Sequence, residues 1–116
     1  MSGNRQAEHR IKLNSIEEAL EDIRNGKIII VVDDEDRENE GDFICAAETA
    51  TTENVNFIMS GRGQLCVPVL PDVCRRLELA PLVDTNTAPL ATAFVTPLDH
   101  RSCKTGITAA ERSLTI

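Results

Sequence analysis

The stretch from residue 33 to residue 42, DDEDRENEGD, contains the residue types best suited to chemistry in this chain. It holds seven carboxylates and one arginine, Arg37, and so accounts for most of the net charge of −7. Like charges at this density repel one another unless a cation neutralises them. Hard divalent cations such as Mg²⁺ prefer oxygen ligands. This segment, called the acidic loop below, is therefore a candidate metal site.

The spacing within the acidic loop supports that interpretation. Glu38, Glu40 and Asp42 alternate along the chain, so their side chains point to one side of an extended segment. Arg37 points the other way in ideal geometry, and its guanidinium can bind a phosphate through two parallel hydrogen bonds. Gly41 lets the backbone turn or approach a ligand closely. The pattern favours a magnesium-type site that takes a phosphorylated substrate.

Two other interpretations of the acidic loop compete with the metal site. Runs of charge are usually solvated surface segments, although this one follows directly after the apolar run IIIVV. An EF-hand calcium loop that begins at Asp33 needs glycine at its sixth position, where this chain has Glu38. The calcium interpretation therefore fails, and a solvated loop remains the alternative.

The elements that must position the acidic loop are predicted from hydrophobic periodicity. Ser15 and Glu18 form a capping-box pattern in front of a helix that stops near Gly26. The β-branched run KIIIVV, residues 27–32, predicts a strand buried on both faces. FICAA, residues 43–47, predicts a second strand. The acidic loop is therefore expected to connect two strands.

The rest of the chain is predicted to mix helices with strands. The predicted class is α/β (α+β), a mixed β-sheet with flanking helices, preceded by a flexible arm at residues 1–10. Pro68 lacks a backbone donor and favours an edge strand or a bulge. The helices are predicted at 51–61, at 71–78 and from Thr108, with Glu111 completing a second capping box, and the strands at 64–70 and 92–98.

Composition excludes several classes of function. A pI near 4.7 and an aromatic content of 3% argue against a nucleic-acid-binding surface. No apolar run approaches the roughly 20 residues needed to span a membrane, and the polar N-terminus does not resemble a signal peptide. The chain is expected to be cytoplasmic. Its four cysteines form no C-x-x-C motif and are expected to be buried thiols: Cys45, Cys66, Cys74 and Cys103.

The acidic loop together with AAE, residues 46–48, resembles the signature of the 3,4-dihydroxy-2-butanone 4-phosphate synthase family of riboflavin biosynthesis. SIEEALEDIRNGKIIIVV, GRGQLCVPV, DTNTA and TGITAAER are also similar to segments of that family. The resemblance covers residues 11–116 and implies the family fold. It extends over only the N-terminal half of the family domain. The family's Gly-His-Thr segment, whose histidine binds metal, has no counterpart here, since His9 lies in the arm and His100 in a predicted turn.

The resemblance implies a reaction and a set of roles. D-Ribulose 5-phosphate would be converted to 3,4-dihydroxy-2-butanone 4-phosphate and formate through an enediol, with two Mg²⁺ ions (or Mn²⁺) holding substrate oxygens. Glu38 would be the metal ligand and would contact substrate, and Arg37 would contact substrate near the phosphate. Asp42 would bind a substrate hydroxyl and move protons, and Glu40 would support the site.

Four further residues receive roles through the same resemblance. Cys66 corresponds to a cysteine that lines the family's active site, with a buried strand thiol as the alternative. Thr105 would contact substrate, with a turn or cap residue as the favoured alternative. Asp33 and Asp34 would be structural or would support the metal site from outside it.

The resemblance also implies a homodimer, because the family builds its active sites at a subunit interface. The last predicted helix has no stop signal before Ile116, so the chain is expected to be truncated inside an element. A rival hypothesis follows from this. The chain could be an inactive truncated or degenerate form that serves only as a binding or structural module.

Overall fold

The computed structural model describes residues 12–116, so the predicted arm at 1–10 lies outside the described residues. One helix, a two-stranded sheet and three further helices follow one another along this part of the chain, which confirms the predicted combination of α and β structure. The elements are α1 (Ile16–Arg24), β1 (Ile29–Val32), β2 (Gly41–Ile44), a 3₁₀ turn (Ala47–Thr49), α2 (Thr52–Met59), α3 (Pro71–Arg76) and α4 (Ala109–Thr115).

Helix α1 begins and ends where its sequence signals place it. The Ser15 hydroxyl accepts from the backbone N–H of Glu18 at 3.2 Å, and the Glu18 carboxylate accepts from the backbone N–H of Ser15 at 2.8 Å. This reciprocal capping box gives hydrogen-bond acceptors to two backbone N–H groups that have no carbonyl partner within the helix. Gly26 follows the helix with a φ of 73°, a conformation that costs glycine little. The predicted helix is confirmed at both ends.

The acidic loop connects two antiparallel strands, as predicted. Ile29 pairs with Ile44 and Val32 pairs with Gly41, so β1 and β2 form a hairpin. The backbone N–H of Asp33 donates to the carbonyl of Glu40 at 3.2 Å, which continues the pairing into the loop. Strand β2 begins two residues before the predicted strand and ends at Ile44. The loop is thus held at both ends by regular structure.

The prediction that the first strand is buried on both faces is wrong. Ile30, Val31 and Val32 of β1 are 66%, 41% and 51% exposed. Among the described residues the sheet has only these two strands, and no helix covers it on both faces. A run of β-branched residues predicts the extended backbone, but its burial depends on layers that the run itself does not specify.

Two of the predicted strands are also wrong. Residues 64–70 are irregular, and residues 92–98 contribute only one isolated bridge, between Val95 and Pro81. That bridge is flanked by hydrogen bonds from Leu82 N–H to the Phe94 carbonyl and from Thr96 N–H to the Ala80 carbonyl, each 2.9 Å long. A strand needs a hydrogen-bonded neighbour, and the described part of the chain supplies none for residues 64–70. High β-propensity alone did not produce these strands.

Helices α2 and α4 pack together, and the buried apolar residues of the described chain, Ala50 and Val55, lie just before α2 and within it. The Thr51 hydroxyl caps α2 by accepting from the Asn54 N–H at 3.2 Å, and Val55 on α2 is fully buried. The Ser113 hydroxyl on α4 donates to the Ala50 carbonyl at 2.6 Å. This packing fixes α4 against the segment that enters α2.

The two remaining helices agree with their start signals. Pro71 lies in the first turn of α3, which ends at Arg76, two residues earlier than predicted. Thr108 caps α4 by accepting from the Glu111 N–H at 3.2 Å. The Glu111 carboxylate reaches back to the same residue, accepting from the Thr108 hydroxyl at 3.4 Å, and also accepts from the backbone N–H of Lys104 at 2.7 Å, outside the helix.

Candidate active site

Asp33 organises the acidic loop. One carboxylate oxygen accepts from the Glu40 N–H at 2.7 Å, and the other accepts from the Glu38 N–H at 3.1 Å and from Arg37 Nη1 at 2.8 Å. The Glu40 N–H above all, with the Glu38 N–H and the Arg37 guanidinium, lowers the pKa of the Asp33 carboxyl below its ordinary value. Asp33 therefore stays ionised and holds the two loop ends together.

The centre of the acidic loop is a turn rather than an extended segment. Residues 35–38 form the turn, with Arg37 N–H donating to the Asp34 carbonyl at 3.0 Å, and Asn39 has a φ of 52°. The expected alternation that places Glu38 and Glu40 on one side of an extended strand is therefore wrong. The side chains of residues 34–40 are exposed around this turn, where water screens the repulsion between their carboxylates.

Arg37 is engaged inside the loop. Its Nη1 lies 2.8 Å from an Asp33 oxygen and 3.3 Å from a Glu38 oxygen. The Glu38 side chain is 35% exposed, so solvent still reaches it in this ion pair. Arg37 and Glu38 are thus paired with each other, and their contacts with substrate stay predictions.

Two clefts flank the hairpin. The first, of about 240 Å³, is lined by Asp42 and Phe43 of β2, by the end of α2, by residues 61–65 and by Arg112 of α4. The second is a broader cleft of about 690 Å³, lined by Glu38 and by residues 81–90 and 92–94. The structure therefore places Glu38 and Asp42 on different clefts. Neither cleft is lined, within the part of the chain that the structure describes, by four of the predicted site residues: Arg37, Glu40, Cys66 and Thr105.

Cys66 is exposed and lies in the irregular segment before α3. The alternative of a buried strand thiol is therefore wrong for this residue. Cys66 follows two residues after Gln64, which lines the first cleft, so its predicted place in the active site stays a prediction. The other three cysteines are only partly buried, so the expectation of four buried thiols is wrong; the partial burial raises the pKa of the Cys45 thiol.

Thr105 belongs to a network built around Glu111. The Glu111 carboxylate accepts from the Lys104 N–H at 2.7 Å, from the Thr105 hydroxyl at 3.2 Å and from the Thr108 hydroxyl at 3.4 Å. The Thr105 hydroxyl also accepts from the Ile107 N–H at 3.4 Å. These contacts give Thr105 the turn role that was favoured from sequence. Its contact with substrate stays a prediction.

The Glu111 network gives a pH-dependent contribution to stability. The Lys104 N–H above all, and then the hydroxyl of Thr105, lower the pKa of Glu111. A carboxyl with a lowered pKa in the folded state stabilises that state above its unfolded pKa, and the contribution is lost as pH falls through the folded pKa. We expect Glu111→Gln to lower the urea midpoint at pH 7, because the amide offers fewer acceptors.

The difference between wild type and Glu111→Gln should shrink as pH falls below the ordinary range of glutamate. Glu17→Gln is the matched control, since Glu17 is an exposed glutamate in the first turn of α1 with no hydrogen bond from its side chain among the described residues. A difference that stays constant from pH 7 to pH 2.5 would show that the Glu111 charge does not stabilise the loop.

The donor set of the acidic loop suits a hard divalent cation. Its side-chain donors are carboxylate oxygens, and both Glu38 and Asp42 are exposed to solvent. In residues 12–116 no three His, Cys, Asp or Glu side chains converge as a ready-made cage. Mg²⁺ does not require one, because it is usually bound by one or two protein carboxylates together with water and substrate oxygens. Glu38 stays the predicted ligand for this ion.

Comparison with known proteins decides the family. The sequence model described as 3,4-dihydroxy-2-butanone 4-phosphate synthase matches residues 17–116. The chain belongs to this family. The match includes the whole acidic loop and both strands of the hairpin, so the resemblance predicted from the loop is confirmed.

Curated members of the synthase family are similar to this chain over most of its length. It is 59% identical over 102 residues to the riboflavin biosynthesis protein RibBA of Bacillus velezensis. It is 53% identical over 108 residues to RibBA of Phocaeicola vulgatus. These alignments cover 87% and 91% of this chain but only 26% and 27% of the relatives. The chain therefore spans about a quarter of the length of the curated relatives it matches.

Solved structures of the synthase family share its fold. A crystal structure of 3,4-dihydroxy-2-butanone 4-phosphate synthase in complex with two magnesium ions superposes with a TM-score of 0.78 at 36% identity. RibBX of A. baumannii, a two-domain synthase, superposes with a TM-score of 0.79 at 41% identity. Each match covers 88% of this chain, and 49% and 30% of those chains respectively.

Sequence reasoning missed Arg112 as a lining residue of the cleft that contains Asp42. In the sequence, Arg112 is an ordinary basic residue in the last turn of a helix, where it suits the helix dipole. It reaches the cleft only because α4 packs against α2 beside β2. No local signal could have revealed that contact.

Proposed function

We propose that this chain forms part of an enzyme that converts D-ribulose 5-phosphate to 3,4-dihydroxy-2-butanone 4-phosphate and formate in riboflavin biosynthesis. The observation that supports it most is the acidic loop, held by Asp33 with the Arg37–Glu38 pair at its tip, in a chain of the synthase family. One solved relative binds two magnesium ions. Oxygen donors at this loop suit the same metal, with Mn²⁺ as a substitute.

Each residue of the loop has a proposed task. Glu38 holds the divalent metal and contacts substrate, and Arg37 contacts the substrate beside it. Asp42 accepts a hydrogen bond from a substrate hydroxyl and moves a proton to or from the adjacent carbon. Glu40 supports the loop from the β2 side, where its backbone N–H donates to the Asp33 carboxylate. When bound, the metal would stabilise the negative charge of the enediolate as a Lewis acid.

Cys66 and Thr105 have smaller proposed tasks. Cys66 lines the active site near the segment of residues 61–65, and Thr105 contacts substrate from the loop before α4. Arrangement of these groups before substrate binds lowers the entropy lost on reaching the transition state. Glu38 and Asp42 lie on different clefts, so the substrate would extend across the hairpin loop between them.

The oligomeric state is also a proposal. Large apolar side chains are exposed on β1 and β2, and apolar surface of this kind marks an interface in soluble proteins. We expect a homodimer in the full-length protein. Light scattering that gives a monomer mass at every concentration would contradict it.

Among residues 12–116, the helices are too short or too polar to cross a membrane, and a cytoplasmic location is part of the proposal.

The proposed reaction is tested by product analysis. The full-length protein, supplied with ribulose 5-phosphate and Mg²⁺, should release formate and the four-carbon phosphate in equal amounts. Ribose 5-phosphate is the matched control substrate, because its carbonyl lies at a different carbon. Consumption of ribulose 5-phosphate without formate would overturn the proposal.

A further inference from the structure

The second cleft places Glu38 opposite one continuous segment of the chain. All its other lining residues fall within residues 81–94, and most of their side chains are apolar. The large apolar side chains of this wall are Leu82, Val83, Leu90 and Phe94. An apolar wall holds water only weakly. A wall of this composition can therefore keep water away from a carboxylate that faces it.

The wall segment is closed at its base in the manner of a hairpin. The Leu82 N–H donates to the Phe94 carbonyl at 2.9 Å, and the Thr96 N–H donates to the Ala80 carbonyl at 2.9 Å. The Thr96 hydroxyl also donates to the Ala80 carbonyl, at 3.2 Å. These bonds hold the two ends of the segment together. Residues 84–92 form the loop beyond this base and are called the 84–92 loop below.

Asn86 links the beginning of the 84–92 loop to its end. Its side-chain carbonyl oxygen accepts from the Ala88 N–H at 3.0 Å, which forms a local turn. Its Nδ2 donates to the Thr92 carbonyl at 3.0 Å, six residues further on. The Ala91 N–H donates to the Ala88 carbonyl at 2.9 Å between these two contacts. Both ends of one amide side chain are thus used to close the loop.

Hydrogen bonds rather than packing determine the shape of the 84–92 loop. Every residue from 81 to 94 is exposed, so no buried side chain anchors this segment. Ala91 has a φ of 53°, in the left-handed region that is unfavourable for a residue with a Cβ. Such a conformation persists only where surrounding contacts enforce it, and it is frequent at functional sites. Asn86 supplies the contacts on both sides of Ala91.

We propose that Asn86 is a positioning residue, which holds the 84–92 loop as the wall that excludes water from Glu38 and from substrate bound beside it. This inference rests on the proposed function, because it concerns the same site, and it adds a residue that lies outside the acidic loop. Asn86 acts through the loop and does not itself exchange protons with substrate.

The expected kinetic effect of Asn86 is on turnover. Exclusion of water strengthens the electrostatic interactions of charged groups in a site, and these interactions count most where charge develops during the reaction. A loosened wall should therefore lower kcat more than it weakens substrate binding. A residue that only stabilises the fold would change the melting temperature and leave kcat unchanged.

The test uses two substitutions in the full-length protein. Asn86→Ala removes both side-chain hydrogen bonds. Asn86→Ser keeps a hydroxyl that can accept from the Ala88 N–H, but this side chain is too short to reach the Thr92 carbonyl. Both should lower kcat for ribulose 5-phosphate by roughly 10- to 100-fold, since about 1 Å of displacement can cost about 100-fold in rate. The KM should stay within about threefold of wild type.

Asn56→Ala is the matched control, since Asn56 is an exposed asparagine on α2 that lines neither cleft. It should leave kcat and KM unchanged. Wild-type kcat in Asn86→Ala, with or without a lower melting temperature, would overturn the inference, as would a change in KM alone. If Asn86→Ala does not fold, Asn86→Ser decides the question, and wild-type kcat in that variant refutes the link between Asn86 and Thr92.

A second measurement needs no turnover. Hydrogen exchange of the backbone N–H groups of residues 84–92, followed by mass spectrometry in the full-length protein without substrate, should be faster in both Asn86 variants than in wild type and Asn56→Ala. Equal exchange in wild type and Asn86→Ala would show that Asn86 does not hold the loop.

Failure of this inference is distinguishable from failure of the proposed function. Wild-type protein that releases no formate refutes the function, together with the role of the wall in that reaction. Wild-type protein that releases formate, with Asn86 variants that do so at the same kcat, refutes the role of Asn86 alone.

Discussion

Glu38→Gln in the full-length protein should reduce formate release from ribulose 5-phosphate to background. The substitution keeps the shape of the side chain but removes the negative charge that a hard cation requires. It also removes the carboxylate that lies 3.3 Å from Arg37. Loss of a group that only supports a metal ligand lowers metal affinity or activity by roughly 10- to 100-fold. Loss of the ligand itself should therefore lower activity by more than that.

The formate assay for Glu38→Gln is run at several magnesium concentrations. A moderate excess of Mg²⁺ should not restore activity, because the amide is a poor substitute for a carboxylate at any concentration in that range. Glu53→Gln is the control: Glu53 is an exposed glutamate in the first turn of α2, away from the acidic loop. Turnover of Glu38→Gln at a rate near wild type would mean that the central residue of the site is misassigned.

A polypeptide of these 116 residues alone should bind Mg²⁺ weakly and release no measurable formate. Its match covers 49% of a solved synthase, and residues 12–116 bring no three candidate metal ligands together. Substrate contacts from the other half of such a domain would be missing. Displacement of a catalytic group by about 1 Å can cost about 100-fold in rate, so a partial site should be inactive.

That prediction is checked with purified chain, ribulose 5-phosphate and excess Mg²⁺, with formate measured over hours. The same chain with Glu38→Gln is the control for contaminating enzyme. Steady formate release by the chain, absent from the substituted chain, would show that these residues suffice for catalysis. The hypothesis of a chain that serves only as a binding module predicts no formate from the full-length protein either.

Local signals in the sequence predicted the helices well. Ser15 and Glu18 form their capping box, and Thr51 and Thr108 cap their helices, because each cap depends on residues only three positions apart. The hairpin was also predictable, since two β-branched or apolar runs flank one polar segment. Helix ends and hairpins are short-range structures, so the residues that determine them lie side by side in the sequence.

Long-range structure was predicted less well. The runs at 64–70 and 92–98 look like strands, but a strand requires a partner that local sequence does not specify. The exposure of Val31 and Val32 has the same cause, because burial depends on what packs over the sheet. The composition of a segment does not contain that information.

In the candidate site, too, local features could be predicted from the sequence and long-range features could not. The chemistry of the acidic loop was predictable because carboxylates, Arg37 and Gly41 are consecutive in sequence. The turn that separates Glu38 from Asp42, and the approach of Arg112 to the cleft, were not predictable. The turn depends on the three hydrogen bonds that the Asp33 carboxylate accepts, and the cleft depends on packing of α4 against α2.

The most direct test of the acidic loop as a metal site is equilibrium binding of Mn²⁺ in the presence of ribulose 5-phosphate. Loss of the free-ion signal in electron paramagnetic resonance measures binding to full-length wild type, Glu38→Gln and Glu53→Gln. We predict that wild type and Glu53→Gln bind Mn²⁺ alike, and that Glu38→Gln binds it at least about 100-fold more weakly. Equal Mn²⁺ affinity in wild type and Glu38→Gln would contradict the assignment of the metal to the acidic loop.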